Sequence, residues 1–551
     1  MTMSDEQKKA RKNILFIMCD QLRYDYLHCS GHATIKTPNI DDLAKRGVRY
    51  SNAYCQSPIC GPSRMSTYTG RYVSSHGSGS NFAPLRIGEK NIGHHLNPLG
   101  VRTVLVGKTH MVADQEGMQR LGVDATSEIG VHHTQAGFEI VERDDGIHPD
   151  TMVKDNLAYN EYLKSRGHTE DDNPWHWAAN SVETKDGVRS GFFNDQVDLP
   201  ARVSDEESET PYMTRRAMEF LADDDGESPW LLHLSYIKPH WPYVAPAPYN
   251  DMYSSSDVPP AIRSDDEWID TNPLMQLFME RVAGKTFGRD EAREKVIPVY
   301  MGLITQIDDQ LGVLFDYMRK RDLLDNTLIV FTSDHGDYFG DHWMGDKDYF
   351  HDPSVKVPLI VLDPSKSADE TRGSVDDSLV ELIDLLPTFI EYFGGDIPRN
   401  ILDGHSLLPG IRGESGNDRE YVISEYDYSC QVFRPQTGKQ PLDCRSYMVA
   451  TKEWKLVHAP GYPPVLFDLI ADPDELTDLG RSVEHESIRQ SLFNLLADWA
   501  LQYRQRQTWS EEHNLKMTGM EEKLGALIGY WDENDAKGKD PEILPVRKPL
   551  N

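Results

Sequence analysis

Four stretches of this chain, "NILFIMCD" (13–20), "VRTVLVGK" (101–108), "WLLHLSYIKPH" (230–240) and "DNTLIVFTSDHGD" (325–337), are largely apolar, lack in–out alternation, and each ends at polar residues. A strand covered on one face alternates. A strand apolar on both faces must lie inside a sheet covered on both sides, which is how parallel strands are built. Helical patterns fall between these runs, such as "VYMGLITQIDDQLGVLFDYMRKRDLL" from Val299 to Leu324, and "VKVPLIVLDP" (355–364) reads as a fifth strand. Strands alternating with helices predict an α/β sheet with helices on both faces, and sites in such sheets collect at the carboxyl ends of the strands. In "TPNIDDLAKRG" (37–47), Pro38 blocks an earlier start, Asn39 is the expected cap and Gly47 the stop.

The chain has 551 residues, and a single core rarely grows past roughly 250–300. The character changes near residue 400. "RSYMVATKEWKLVHAPGYPPVLFDL" (445–469) reads as short antiparallel strands, and "IRQSLFNLLADWALQYRQRQ" (488–507) as an amphipathic helix. The expected organisation is a flexible start (1–12), a catalytic α/β domain (13–400), a smaller α+β domain (401–510) and an extension (511–551) suited to holding a second subunit. A homo-oligomer, taken as a dimer, follows from that extension. Residues 112–210, with "HHTQAGFEIVERDDG" and "NPWHWAANS", are polar and irregular, and read equally as specificity loops or surface padding.

The 57 basic and 89 acidic residues leave a formal net charge of −32. That field repels nucleic acid and anionic membrane, so neither is expected as a partner, and any anion site must be locally cationic. "ILFIMC" is far too short to span a bilayer, which needs about 20 apolar residues. The six cysteines (Cys19, Cys29, Cys55, Cys60, Cys430, Cys444) show no disulfide or CxxC spacing. Together with a polar start lacking an apolar signal core, they predict a cytoplasmic protein with reduced thiols.

The four strand ends offer Asp20-Gln21, Lys108-Thr109-His110, Lys238-Pro239-His240 and Asp334-His335. Oxygen-rich donors with one imidazole suit a hard divalent ion better than zinc. Each residue alone has a bland reading as a helix cap or loop hydrogen-bonder. Four strands ending this way do not. Lys347, among Asp341, Asp346 and Asp348, reads either as a catalytic amine or as half of a surface ion pair, and Asp337, Asp341 and His342 as loop scaffolding. Trp175 and Trp177 read as an aryl or trimethylammonium pocket or as loop anchors. His94, His95, His132 and His133 have no interpretable spacing.

"SPICGPSRMSTYTGRY" (57–72) puts Cys60 before Pro62, where a helix begins, with Arg64 one turn on. A helix N-terminus favours an anionic oxygen or a thiolate. Cys60-Gly61-Pro62-Ser63-Arg64 followed by Thr69-Gly70-Arg71 resembles the signature of the formylglycine-dependent sulfatases in the alkaline phosphatase superfamily. At about 5% usage per residue type, five fixed positions arise by accident in roughly one such chain in several thousand. The resemblance runs from Asn13 to Leu479. "NAYCQSPICGPSR" and "GKTHMVADQ" resemble choline sulfatases, while "HLSYIKPHWPYVAPAPYNDMY" and "MGLITQIDDQLG" resemble phosphonate monoester hydrolases.

The resemblance implies an alkaline-phosphatase-like fold, a mixed and mostly parallel sheet sandwiched by helices with a smaller C-terminal α+β domain. It implies that Cys60 is oxidised to formylglycine by a formylglycine-generating enzyme and acts as a hydrated aldehyde. The gem-diol ester releases sulfate when its second hydroxyl is deprotonated, splitting one difficult step into two. Asp20, Gln21, Asp334 and His335, with residue 60, would hold one divalent ion. Arg64 would orient the gem-diol, and Lys108 and Lys347 would neutralise sulfate oxygens. His110 would be the base, and His240, beside Lys347, the acid on the leaving group. Gln21 stands where many sulfatases have Asp, which leaves calcium and manganese open, and His335 where some have Asn, which tilts the choice slightly toward manganese. The pair Lys108 and His110, which the phosphonate hydrolases lack, favours small sulfate monoesters, aryl or alkyl, with side activity on phosphonate monoesters and phosphate diesters. A phosphonate monoester hydrolase, a choline-type sulfatase and an inactive anion-binding protein with Cys60 left as a thiol are the competing readings.

Overall fold

The computed structural model describes residues 12–535 except 155, 416–417, 504–507, 509, 526–527, 530 and 533. The expected flexible start, apart from Lys12, and the end of the expected C-terminal extension lie outside the described residues.

Fourteen strands are described: β1 (Asn13–Asp20), β2 (Val48–Tyr54), β3 (Arg102–Gly107), β4 (Glu139–Arg143), β5 (Ser181–Thr184), β6 (Gly187–Ser190), β7 (Trp230–Pro239), β8 (Thr327–Ser333), β9 (Leu359–Leu362), β10 (Val375–Glu381), β11 (Val422–Asp427), β12 (Arg445–Ala450), β13 (Trp454–His458) and β14 (Val465–Asp468). Eight form one sheet in the order β10-β2-β9-β8-β1-β7-β3-β4. The four apolar runs are its central neighbours β8, β1, β7 and β3, all parallel. β9 is the fifth expected strand and runs antiparallel to β8 and β2, so the sheet is mixed but mostly parallel.

β1 shows why these runs do not alternate. Ile14, Phe16 and Met18 enter the hydrophobic core on one face of the sheet, and Leu15, Ile17 and Cys19 the core on the other. The helix Asp290–Lys320 packs into the second of these cores. It begins nine residues before the expected start and carries Pro298 inside it. Pro298 lacks a donor and disfavours a helix interior, but here it lies among buried Val296, Ile297, Val299 and Tyr300, and packing outweighs the local preference. The expected cap Asn39 is also reassigned. Thr37 is the cap residue of Pro38–Arg46, and Asn39 donates to Asp308 instead.

Residues 112–210 are more than loops. They contribute β4, the parallel edge strand beside β3, whose half-exposed "EIVER" carries no apolar run. They also form the β5–β6 hairpin. The four antiparallel strands β11–β14 make a second sheet, covered by Glu486–Tyr503 through a third core that includes Leu492, Leu496 and Trp499. No helix among the described residues is long and apolar enough to cross a membrane.

Candidate active site

The nucleophile candidate sits at the first turn of Cys60–Thr69, a helix buried along its whole length. Asn81 Oδ1 accepts from the Gly61 amide at 2.8 Å. Gly70, at φ 64°, closes the helix in the left-handed conformation glycine tolerates. The helix points its start at the carboxyl ends of β1, β3, β7 and β8, so Cys60 meets residues from all four. Gly107 makes this convergence possible, because a Cβ there would stand 2.0 Å from the Ser235 carbonyl oxygen of the adjacent strand.

Cys60 Sγ lies 3.1 Å from His335 Nε2, 3.2 Å from Lys347 Nζ and 3.6 Å from Asp20 Oδ1. Asp20, Cys60, Asp334 and His335 are all buried and offer ligand atoms within 4.8 Å of one another, a group able to hold a metal ion. Two carboxylates, an imidazole and one further donor fit a hard divalent ion. Arg64 braces this set. Its Nε donates to Asp334 Oδ2 at 2.7 Å, and its Nη1 to Ser235 Oγ at 2.7 Å and the Lys108 carbonyl at 2.9 Å. Lys108 forms a buried ion pair with Asp20. Arg64 Nη2 and His110 Nδ1 are buried with no protein hydrogen-bond partner, as a site built for a further polar group would leave them.

Gln21, the remaining residue of the expected ligand set, lies against the same cluster, its backbone amide donating to Asp334 Oδ1 at 3.1 Å. Its Oε1 accepts from Lys347 Nζ at 2.9 Å, and its Nε2 donates to Asp337 and Asp346. Lys347 is not a surface lysine. It is buried, and its Nζ also stands 3.1 Å from His240 Nε2. His240 Nδ1 lies 2.6 Å from the Trp241 carbonyl, which fixes the proton on Nδ1 and leaves Nε2 as acceptor from Lys347. In the resting arrangement the proton between these two belongs to Lys347.

The electrostatics follow from burial and close charges. Burial opposes the Cys60 thiolate, but Lys108, Lys347 and His335 outweigh it and hold the thiol well below its usual range. Burial and Cys60 push the Asp20 carboxyl up, and Lys108, His240 and Arg64 more than reverse this. Burial opposes the Lys347 charge, yet Cys60 and Asp346 keep the ammonium well above its normal range. Burial lowers His240, while Asp334 carries His335 against burial up to about 9. The pocket is locally cationic inside an acidic protein.

The loop carrying Lys347 is bent through an unusual backbone. Phe339, His342, Trp343, Asp346 and Asp348 all have positive φ, a conformation that non-glycine residues hold only where surroundings impose it. Asp348 supplies much of that restraint. It is ion-paired to Arg281 and accepts from Tyr426 Oη at 2.8 Å, so a strand of the second sheet helps position the lysine. Asp337 accepts from Tyr243 Oη at 2.6 Å and from Gln21. Asp145 receives the amides of Thr109 and His110 at 2.9 and 2.8 Å. Sequence reasoning missed Tyr243, Arg281, Tyr426, Ser235 and Asp145, which lie in strands and loops with no chemistry-bearing spacing. Trp175 is a loop anchor, buried and donating to Glu209 at 2.9 Å, and Trp177 donates to Asp150. His94 packs against His132 and His133 in the segment beside β3 and β4.

With this geometry in place, comparison with known proteins is informative. The family model described as "Sulfatase" matches residues 12–395, and one described as "N-sulphoglucosamine sulphohydrolase, C-terminal" matches residues 340–502. The chain is similar to the multifunctional alkaline phosphatase superfamily protein PehA of Trinickia caryophylli, 31% identical over 90% of this chain and 96% of that one. It is 28% identical to the choline-sulfatase of Rhizobium meliloti, over 86% of this chain and 83% of that one. Among solved structures, the phosphonate monoester hydrolase of Agrobacterium radiobacter aligns with a TM-score of 0.77 at 27% identity, covering 90% and 96% of the two chains.

Proposed function

We propose, since this chain belongs to the sulfatase family within the alkaline phosphatase superfamily, that it is a sulfuric ester hydrolase acting on small aryl or alkyl sulfate monoesters. The observation that carries this is the Cys60 thiol at a buried helix start, 3.2 Å from Lys347 and 3.1 Å from His335, inside a donor set fit for one divalent ion. Cys60 converted to formylglycine supplies a hydrated aldehyde as nucleophile, and a calcium or manganese ion held by Asp20, Gln21, Asp334, His335 and residue 60 would supply Lewis acidity. Conversion makes a formylglycine-generating enzyme a partner in maturation.

The chain's own residues do the rest. Lys108 and Lys347 bring positive charge to the non-bridging sulfate oxygens, and Arg64 orients residue 60 from the Asp334 side. Lys347 and His240 together place a proton at the ester oxygen as it departs. His110, next to Lys108 and with an unpartnered Nδ1, takes a proton from residue 60 to release the product.

The likeness to phosphonate monoester hydrolase structures favours a second activity on phosphonate monoesters and phosphate diesters at the same site. Steady-state kinetics on an aryl sulfate, choline sulfate and a phenylphosphonate monoester separate these. The aryl sulfate is expected to have the highest kcat/KM, and a preference for the phosphonate ester would overturn the assignment.

A further inference from the structure

Beside His240 and Lys347 lies a cavity of about 550 Å³, within the roughly 300–1,000 Å³ span of small-molecule sites. Its walls come from five separate parts of the chain: Phe192 just past the β5–β6 hairpin, Trp241 and Tyr243 after β7, Val282 and Phe287 on one short helix, Asp346 in the loop that follows β8, and Val432 past β11. Phe192 is 37% exposed, Val282 82% and Val432 83%. A lone exposed apolar side chain needs no explanation, but three from different segments around one concavity make an apolar rim that water does not favour.

On one side the cavity wall is made of residues that adjoin the reaction centre. Trp241 directly follows His240, their ring centroids 4.6 Å apart. Tyr243 Oη is 3.4 Å from Gln21 Nε2, and Asp346, also in the wall, precedes Lys347. The two charged groups of the wall answer each other, with Arg281 Nη2 3.6 Å from Asp346 Oδ2. The wall therefore offers aromatic and aliphatic surface and a balanced ion pair, with the rings of Phe192 and Trp241 6.1 Å apart.

We infer that this cavity receives the leaving group of the ester, and that this group is an uncharged, apolar alcohol the size of one or two aromatic rings. The inference rests on the sulfatase reading for where the ester reacts and adds the class of alcohol released. With sulfate against Cys60 and Lys108 and the ester oxygen between Lys347 and His240, the alcohol's carbon skeleton lies along Trp241 toward Phe192. The 112–210 segment then acts in specificity through Phe192, and Val432 closes the opposite wall.

Binding and turnover test this separately. In Cys60→Ala protein, 2-naphthol is titrated by calorimetry. Adding Phe192→Ala or Val432→Asp, both at exposed positions, is expected to weaken binding about tenfold, while Val483→Asp, an exposed residue outside the cavity, leaves it unchanged. In protein with Cys60 intact, the same two variants raise KM for 2-naphthyl sulfate about tenfold and leave methyl sulfate unaffected. No naphthol binding, affinity indifferent to both variants, or equal effects on both esters would overturn the cavity assignment while leaving the sulfatase reading intact. Naphthol binding lost in the variants, in a protein that hydrolyses neither sulfate, would uphold the cavity and overturn the sulfatase reading.

Discussion

The two halves of the candidate site are built on different principles. The nucleophile half, with Asp20, Cys60, Arg64, Lys108, Asp334 and His335, hangs from the ends of adjacent parallel strands and one buried helix, and every member is buried. The leaving-group half, with Phe192, Trp241, Val282, Lys347 and Val432, is assembled from loops and short elements far apart in the chain, with an exposed apolar rim. Chemistry common to many esters needs fixed geometry, and regular secondary structure supplies it. Selection among alcohols needs a surface that can vary without moving the nucleophile, and loops supply that.

The contrast breaks most visibly at Cys60. Cys60→Ala is expected to lower kcat by about 10⁴-fold or more on every ester, with good or poor leaving groups alike, and to leave the circular dichroism spectrum unchanged. On the other side, His240→Ala is expected to slow a poor leaving group such as an alkyl sulfate by about 10²-fold and a nitrophenyl sulfate only a few-fold. Equal slowing of both would move His240 into the nucleophile half.

Tyr426→Phe sharpens the comparison, because Tyr426 reaches Lys347 only through Asp348. Loss of one hydrogen bond to a charged group, worth about 1.5 kcal/mol, is expected to cut kcat for poor leaving groups by up to about tenfold with KM little changed and thermal stability lowered slightly. An unaltered dependence of rate on leaving-group pKa would reduce Tyr426 to a structural role.

A last effect, read in stability and not in rate, concerns the core beneath the nucleophile helix. His233, on β7, accepts from Tyr68 Oη at 2.9 Å and donates to the Phe16 carbonyl at 3.1 Å, and burial depresses its pKa to about 3. His76, bonded to Ser66 of the same helix, is likewise depressed to about 3, by burial and then Arg71. Both are neutral in the folded protein and take protons on unfolding below about pH 6.5, so the unfolded chain binds more protons there. Their contribution is complete above that pH and fades as pH falls toward 3, by about 1.4 kcal/mol per pH unit for each histidine. Denaturant unfolding between pH 7 and 5 is expected to show this loss, and His233→Gln to make it shallower.

The same division decides what the amino-acid sequence reveals. Each residue of the nucleophile half stands at a place that local chemistry marks: the end of an apolar run, or the start of a helix opened by Pro62. The four runs are also neighbours in the sheet, so their polar ends meet. No local pattern marks Phe192, Val432 or Tyr426, because their roles come from chain crossings that sequence spacing does not encode. Lys347 falls between the two cases. Its acidic neighbours suggest a surface ion pair, and only the fold shows it buried and turned toward Cys60 by a run of left-handed residues. β4 and the helical turns around Pro298 escaped for a simpler reason, since a half-exposed edge strand lacks an apolar run and a proline signals a break that tertiary packing overrode.

Conversion of residue 60 is the central claim, and mass spectrometry of the tryptic peptide Tyr50–Arg64 from catalytically active protein tests it most directly. A peptide lighter than the cysteine form, carrying an aldehyde that reacts with a hydrazine, is the predicted result. A fully active preparation in which that peptide is entirely unmodified cysteine would contradict it.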